Sequence, residues 1–220
     1  MRSAAVCRIF SLARQRISLF PLPGALLFPG LQLPLHIFEP RYRAMISDSL
    51  ARDRKIGMIQ PRAQSPSRDV RPALFDVGCL GRIADVEALD DGGYNVVLEG
   101  VSLFRVLREL DSMTQFRQVE AELIATPEHE ALAAVERAAL EAEARRFADW
   151  LGYAVDWDGI AQLDDQTLVN AIAQVAPFDV AAKQALLEAP DLPGRAELIM
   201  QLMRFASTGR DPGDNRATLQ

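Results

Sequence analysis

Cysteine, histidine and lysine are each down to two residues in this 220-residue chain, and each scarcity excludes something. Cys7 and Cys79 do not make a disulfide framework, and no CxxC pair exists to hold a metal. Cys79 sits in an apolar strand pattern and reads as a small buried hydrophobe, which fits a reducing cytosol, so a cytoplasmic location is expected. His36 and His129 fall in different predicted parts of the chain, and there is no HExxH, no GxSxG and no Gly-rich GxxxxGK loop followed by Ser or Thr. Lysine is limited to Lys55 and Lys183. Arginine supplies the other 22 of 24 basic residues, against 30 acidic ones, for a net charge of −6 with no basic cluster, so no nucleic-acid partner is expected. No apolar run approaches the roughly 20 residues that a membrane helix needs, so no membrane partner is expected either.

What is present divides by composition. Residues 1–16, MRSAAVCRIFSLARQR, carry four Arg and no acid, and read as an extension ahead of the first strand. From 17 to 38 the chain is apolar and broken by Pro21, Pro23, Pro29 and Pro34, which predicts short strands ending at edges and bends, because proline cannot donate to a sheet ladder. Pro40 is suited to a first helical position, and Tyr42, Met45, Ile46 and Leu50 then repeat at helical spacing, predicting a helix over 40–52. KIGMIQ at 55–60 reads as a strand and the Pro- and Ser-rich stretch 61–72 as a loop. Residues 73–125 read as β, with kinks at Gly78 and Gly81 and a tight hairpin at Asp90-Asp91-Gly92-Gly93. Strands so short and evenly spaced suggest a small barrel, which removes exposed sheet edges.

Near Pro127 the composition turns to Ala, Glu and Leu. Leu140, Phe147 and Leu151 share one helical face, as do Leu168, Ala171, Ile172 and Val175 in a second helix capped by Asp164 or Asp165. Asp179 caps a short helix through Leu187, and Pro193 opens a last one carrying Ala196, Ile199, Met200 and Met203. Short connections between these helices predict a bundle over 127–206, following a barrel over 17–126, with a disordered tail at 207–220.

Few residues suggest chemistry. His36 in LPLHIF is either a general base or ligand, or an imidazole bonded locally near a strand end, and the lack of a second His or Cys at metal spacing favours the second. His129 reads as a helix-start residue. The carboxylates around Trp157 (Asp156, Asp158, Asp164, Asp165) match no EF-hand spacing and read as helix caps. Trp150 and Trp157 are expected to pack the bundle.

One run carries more information than any of these. ISLFPLPGALLFPGLQLPLHIFEPRYRAMISDSL, above all Leu35-His36-Ile37-Phe38-Glu39-Pro40-Arg41-Tyr42-Arg43, resembles the opening of the N-terminal, substrate-binding domain of Lon proteases. The likeness continues through VGCLGRIADVEAL, where Cys79 and Gly81 replace the commoner residues, and through DDGGYNVVLEGVSLFRV, where Ser102-Leu103 precedes Phe104-Arg105 in an altered segment. It covers 17–125 strongly and the helices to about 205 more loosely. The resemblance implies an α+β fold, a small six-stranded PUA-like pseudobarrel followed by an α-helical bundle. It implies a non-catalytic module that binds unfolded or partner polypeptide, linked to proteolysis or protein quality control, with no cofactor. Full Lon proteases continue into an ATPase and a Ser-Lys peptidase; the chain ends at Gln220 without either motif, so a stand-alone member without enzyme activity is expected.

The residues of the run suggest how it would work. Glu39 can accept first-turn N–H groups and pair with Arg43 four residues on. The surface between barrel and bundle would present Phe38, Tyr42 and neighbouring apolar groups beside Arg, the composition of a protein contact. Leu35, His36, Phe38, Glu39, Arg41, Tyr42 and Arg43 are therefore the expected polypeptide-binding residues. Two other readings stay open: an enzyme with a cryptic site at His36 and Glu39, and an RNA-binding PUA-like module by analogy of fold.

Overall fold

Proline and glycine positions decide where the first strands stop. The computed structural model describes residues 14–62, 72–125 and 130–209. β1 (Arg14–Pro21) ends on a proline, and the next strand, β2 (Gln32–Ile37), begins only after Pro23 and Pro29 have been passed. The helix predicted at Pro40 follows as α1 (Pro40–Leu50), burying Tyr42, Met45, Ile46 and Ser49. Then come β3 (Lys55–Ile59), β4 (Val77–Ala88), β5 (Tyr94–Glu109) and β6 (Gln118–Ile124).

The sheet order is β2-β5-β4-β3-β1-β6, and β5 pairs with β6 as well, so five strands close into a ring and β2 is added outside it. β1 and β3 run parallel; every other pair is antiparallel. Closure depends on the sixteen residues of β5, which serve three partners: β2 along 94–99, β4 along most of the length to Arg105, and β6 from Leu103 to Glu109. Register shifts at Leu80/Gly81, Ile83/Asp85 and Val106/Arg108 supply the extra bend that closing a small ring needs. Ile17, Leu19, Ile59, Leu80, Phe104, Val119 and Ala121 form one apolar cluster with a residue from each ring strand, which fills the barrel.

Two glycines are forced. Gly92 turns the β4–β5 hairpin at φ +79°. Gly100 lies where the Phe28–Pro29 backbone crosses β5, and a Cβ there would stand 2.0 Å from the Phe28 carbonyl oxygen.

The helical part contains α2 (Ala134–Leu151), α3 (Trp157–Ala161), α4 (Asp165–Val175), α5 (Val180–Leu187) and α6 (Leu192–Gly209). Asp164 and Asp179 cap α4 and α5 by accepting from Thr167 N and Ala182 N. Asp156 caps α3, a short helix the sequence pattern did not reveal. Trp150 stacks on Phe147 at 5.6 Å, and the Arg145 guanidinium lies 4.4 Å from the Trp157 ring centroid. α4 departs from the expected face. Leu168, Val169, Asn170 and Ala173 are buried, whereas Val175 is 76% exposed, because α6 packs on the Asn170 side and takes Asn170 Oδ1 as acceptor for Arg195.

Barrel and bundle share the larger core, which runs from Phe20 and Phe28 to Leu186 and Met203. Buried polar groups join them. Lys183 Nζ donates to the carbonyls of Gly24 (2.8 Å) and Gln174 (3.2 Å), and Gln184 Nε2 donates to the Val77 carbonyl at 3.1 Å. Burial pushes the Lys183 ammonium below the usual lysine range. Cys79 is fully buried, which raises its thiol and removes it from chemistry.

Some sequence expectations fall on residues outside those described: most of the 1–16 extension, most of the 61–72 loop, His129 at its helix start, and residues 210–220 of the expected tail. Arg14–Arg16 open β1, and Ser207–Gly209 continue α6 instead of starting a tail. Among the described residues no helix is long and apolar enough to cross a membrane.

Candidate binding cleft

The joint between β2 and α1 sets one wall of a cleft of about 530 Å³. The alternation of β2 buries Ile37 and leaves Pro34 and His36 exposed, and after Phe38 and Glu39 Pro40 starts α1. Phe38, caught between strand and helix, stands 64% exposed. The opposite wall is Phe20 to Pro23, Pro61, Pro72 and Gln115 to Arg117. The lining is mostly apolar and includes five prolines, which have no N–H to offer.

Six of the seven residues expected from the sequence line this cleft: Leu35, His36, Phe38, Glu39, Arg41 and Tyr42. Arg43 does not. Its guanidinium turns to the β4–β5 hairpin and donates to the Asp91 carbonyl at 3.2 Å. The expected Glu39–Arg43 pair is replaced by Glu39–Arg41 at 2.8 Å. The Glu39 side chain makes no capping bond; its backbone carbonyl accepts from Tyr42 N and Arg43 N instead. Tyr42 is not presented to solvent but is 7% exposed, packed edge-on against Phe20 at 4.5 Å with Arg41 over its other face. Burial raises its hydroxyl above the usual tyrosine range. The cleft is not the surface between barrel and bundle: no residue beyond Arg117 lines it.

His36 Nδ1 lies 3.0 Å from Asn95 Oδ1, its directly opposed partner on β5, and its ring stacks on Phe38 at 6.0 Å. Glu39 is held by Arg41. Each of the two groups considered for acid–base work is thus bonded elsewhere.

Pro61, Pro72, Gln115, Phe116 and Arg117 complete the cleft without a signal in the local sequence. Arg117 is anchored by Glu109 (2.6 Å) and by the Pro72 carbonyl (2.7 Å), so the wall it forms is held from two sides.

A closed five-strand ring, an added edge strand, a helical half and an apolar cleft at the strand–helix joint define a barrel-and-bundle domain. A family model described as the ATP-dependent protease La (LON) substrate-binding domain matches residues 16–204, and the chain belongs to that family. Among curated relatives, "Lon protease 2" of Sorangium cellulosum is 28% identical over 199 residues, 85% of this chain and 24% of that protein. "Lon protease 1" of Bdellovibrio bacteriovorus is 27% identical over 187 residues, 82% of this chain and 23% of that protein. The chain therefore spans about a quarter of the length of these relatives. A Lon N-terminal domain protein from Xanthomonas campestris superimposes with a TM-score of 0.63 at 21% identity, covering 85% of this chain and 98% of that one. The N-terminal domain of a Mycobacterium avium complex Lon protease gives 0.61 at 18%, covering 86% and 98%. These likenesses establish the α+β pseudobarrel-and-bundle fold.

Proposed function

We propose that this chain binds unfolded or partner polypeptide through the cleft at the β2–α1 joint, without chemistry of its own, and so serves proteolysis or protein quality control. The observation that carries this is Phe38. A large aromatic ring held in solvent at the mouth of an apolar cleft offers a ligand apolar surface to take out of water together with the cleft lining. Membership of the family described as the substrate-binding domain of an ATP-dependent protease supports the same reading. The cleft's own charges cancel: Arg41 by Glu39, and Arg117 by Glu109. A site of this kind favours apolar segments of any sequence, and its affinity responds little to salt.

The test is a titration of the purified chain into fluorescein-labelled, reduced and carboxymethylated α-lactalbumin, followed by anisotropy with and without ATP, at low and high salt. Saturable binding that ignores ATP and changes little between salts is expected. Absence of binding to this unfolded probe at protein concentrations up to about 1 mM, the weak end of specific association, overturns the reading.

A further inference from the structure

The hydrogen-bond pattern of β2 carries the reading of the cleft one step further, to the way a chain would lie in it. Among the described residues β2 has a single partner strand, β5. The register pairs Gln32 with Glu99, Pro34 with Val97 and His36 with Asn95, and Gly100 N donates to the Leu31 carbonyl. In an antiparallel ladder, hydrogen-bonded and non-hydrogen-bonded pairs alternate. Leu33, Leu35 and Ile37 therefore turn their backbone N–H and carbonyl groups toward β5, as Leu31 does its carbonyl, while Gln32, Pro34 and His36 turn theirs away from it. Two observations agree. The Gln32 carbonyl accepts from Gln174 Nε2 at 2.8 Å, so it points off the sheet. The His36 and Asn95 side chains meet at 3.0 Å, as the closer non-hydrogen-bonded spacing allows.

Among the described residues the outward edge is thus closed at one end by Gln174 and open at the other. Pro34 contributes a carbonyl and no N–H; His36 contributes both an N–H and a carbonyl. These open groups lie beside residues that line the cleft, with Leu35 and Phe38 on the same wall. Unpaired backbone groups at strand spacing, next to an apolar trough, are what an added strand requires.

We infer that the occupant of the cleft is an extended, uncharged apolar segment of another polypeptide, added as a strand along the open edge of β2, with the His36 N–H and carbonyl as its main-chain anchors and one large side chain set against Phe38. Charge selects this occupant. The lining cations are already neutralised by Glu39 and Glu109, so a charged segment would enter an apolar trough unpaired. A helical segment, whose backbone groups are satisfied internally, would leave the His36 groups unmet.

The inference rests on the cleft being the polypeptide site, and the experiment separates the two. The probe is a fluorescein-labelled, uncharged twelve-residue peptide of alternating Val, Thr and Phe, measured by anisotropy against four proteins: the parent, His36→Ala, His36→Pro and Phe38→Ala. His36→Ala keeps the backbone N–H and loses only the imidazole, so it is the reference against which His36→Pro is read. His36→Pro removes an N–H that serves no ladder bond and is expected to lose at least tenfold. Phe38→Ala is expected to lose at least tenfold through the side chain. If His36→Pro folds and binds like His36→Ala while Phe38→Ala is impaired, strand addition is wrong and the cleft reading survives. If Phe38→Ala binds like the parent, the cleft reading itself fails. Should His36→Pro not fold, N-methylation of the peptide one residue at a time replaces it. Losses that recur at every second residue support strand addition, and an aperiodic profile overturns it.

Discussion

Gln60 and Gln184, 124 residues apart, share a fully buried hydrogen bond of 3.0 Å from Nε2 to Oε1. Gln60 also accepts from Gly24 N and donates to the Val180 carbonyl, and Gln184 reaches the Val77 carbonyl and Glu188. This pair is the polar rivet between barrel and bundle.

Gln184→Leu is expected to destabilise the protein by about 1–3 kcal/mol, because it leaves the Val77 carbonyl without a donor in an apolar interior. Urea unfolding checks this: the midpoint falls while the slope stays the same. A midpoint that does not move would remove the interface network from the account.

Gly100→Ala is expected to cost about 3 kcal/mol or to prevent folding. The added methyl meets the Phe28 carbonyl oxygen at 2.0 Å, and backbone on both sides leaves no rotamer to escape into. Thermal melting followed by circular dichroism reads the result. A melting temperature within a few degrees of the parent would mean that the Phe28–Pro29 crossing over β5 is loose.

Acid should unfold the bundle early. The Leu132 N–H and the Arg137 guanidinium hold the Asp165 carboxyl below its ordinary range, and Thr167 does the same for Asp164. Burial alone would raise the Glu143 carboxyl, but bonds from Arg204 and Arg146 outweigh it and lower it. A lowered folded-state value means the unfolded chain binds more protons. The stabilisation is therefore complete above the ordinary carboxylate value of about 4 and drains away as pH falls below it. Asp165→Asn should lower stability at pH 7, with the gap to the parent narrowing by pH 2–3. A gap that stays constant across that range would show that the Asp165 charge contributes nothing.

How much of this was readable in advance follows from the range of each interaction. The α1 start at Pro40, the Gly92 hairpin, and the Asp164 and Asp179 caps depend on residues within a few positions of one another, and the pattern of residue types displays them. So does most of the wall made by Leu35 to Tyr42. The partner of Glu39 is not fixed by the sequence, because Arg41 and Arg43 are both within reach and only the folded geometry selects Arg41. Arg43 is adjacent to the site in sequence, yet the hairpin at Asp91, 48 residues on, claims it. The second wall, Phe116 and Arg117, comes from a segment more than 70 residues away. Val175 falls on the apolar stripe yet lies outside the core, because helical spacing identifies a stripe but not which neighbour covers it; with Ile172, Phe147 and Trp157 it borders an open apolar groove of about 250 Å³.

The most direct measurement compares two exposed phenylalanines. Phe38 is 64% exposed at the cleft and Phe205 is 77% exposed on α6. Each is changed to Ala, and affinity for reduced, carboxymethylated α-lactalbumin is read by anisotropy beside a urea unfolding curve. Both substitutions should leave stability within about 0.5 kcal/mol, as surface changes do. Phe38→Ala should lose at least tenfold in affinity and Phe205→Ala should match the parent. Equal affinities for the two variants would contradict the assignment of polypeptide binding to the β2–α1 cleft.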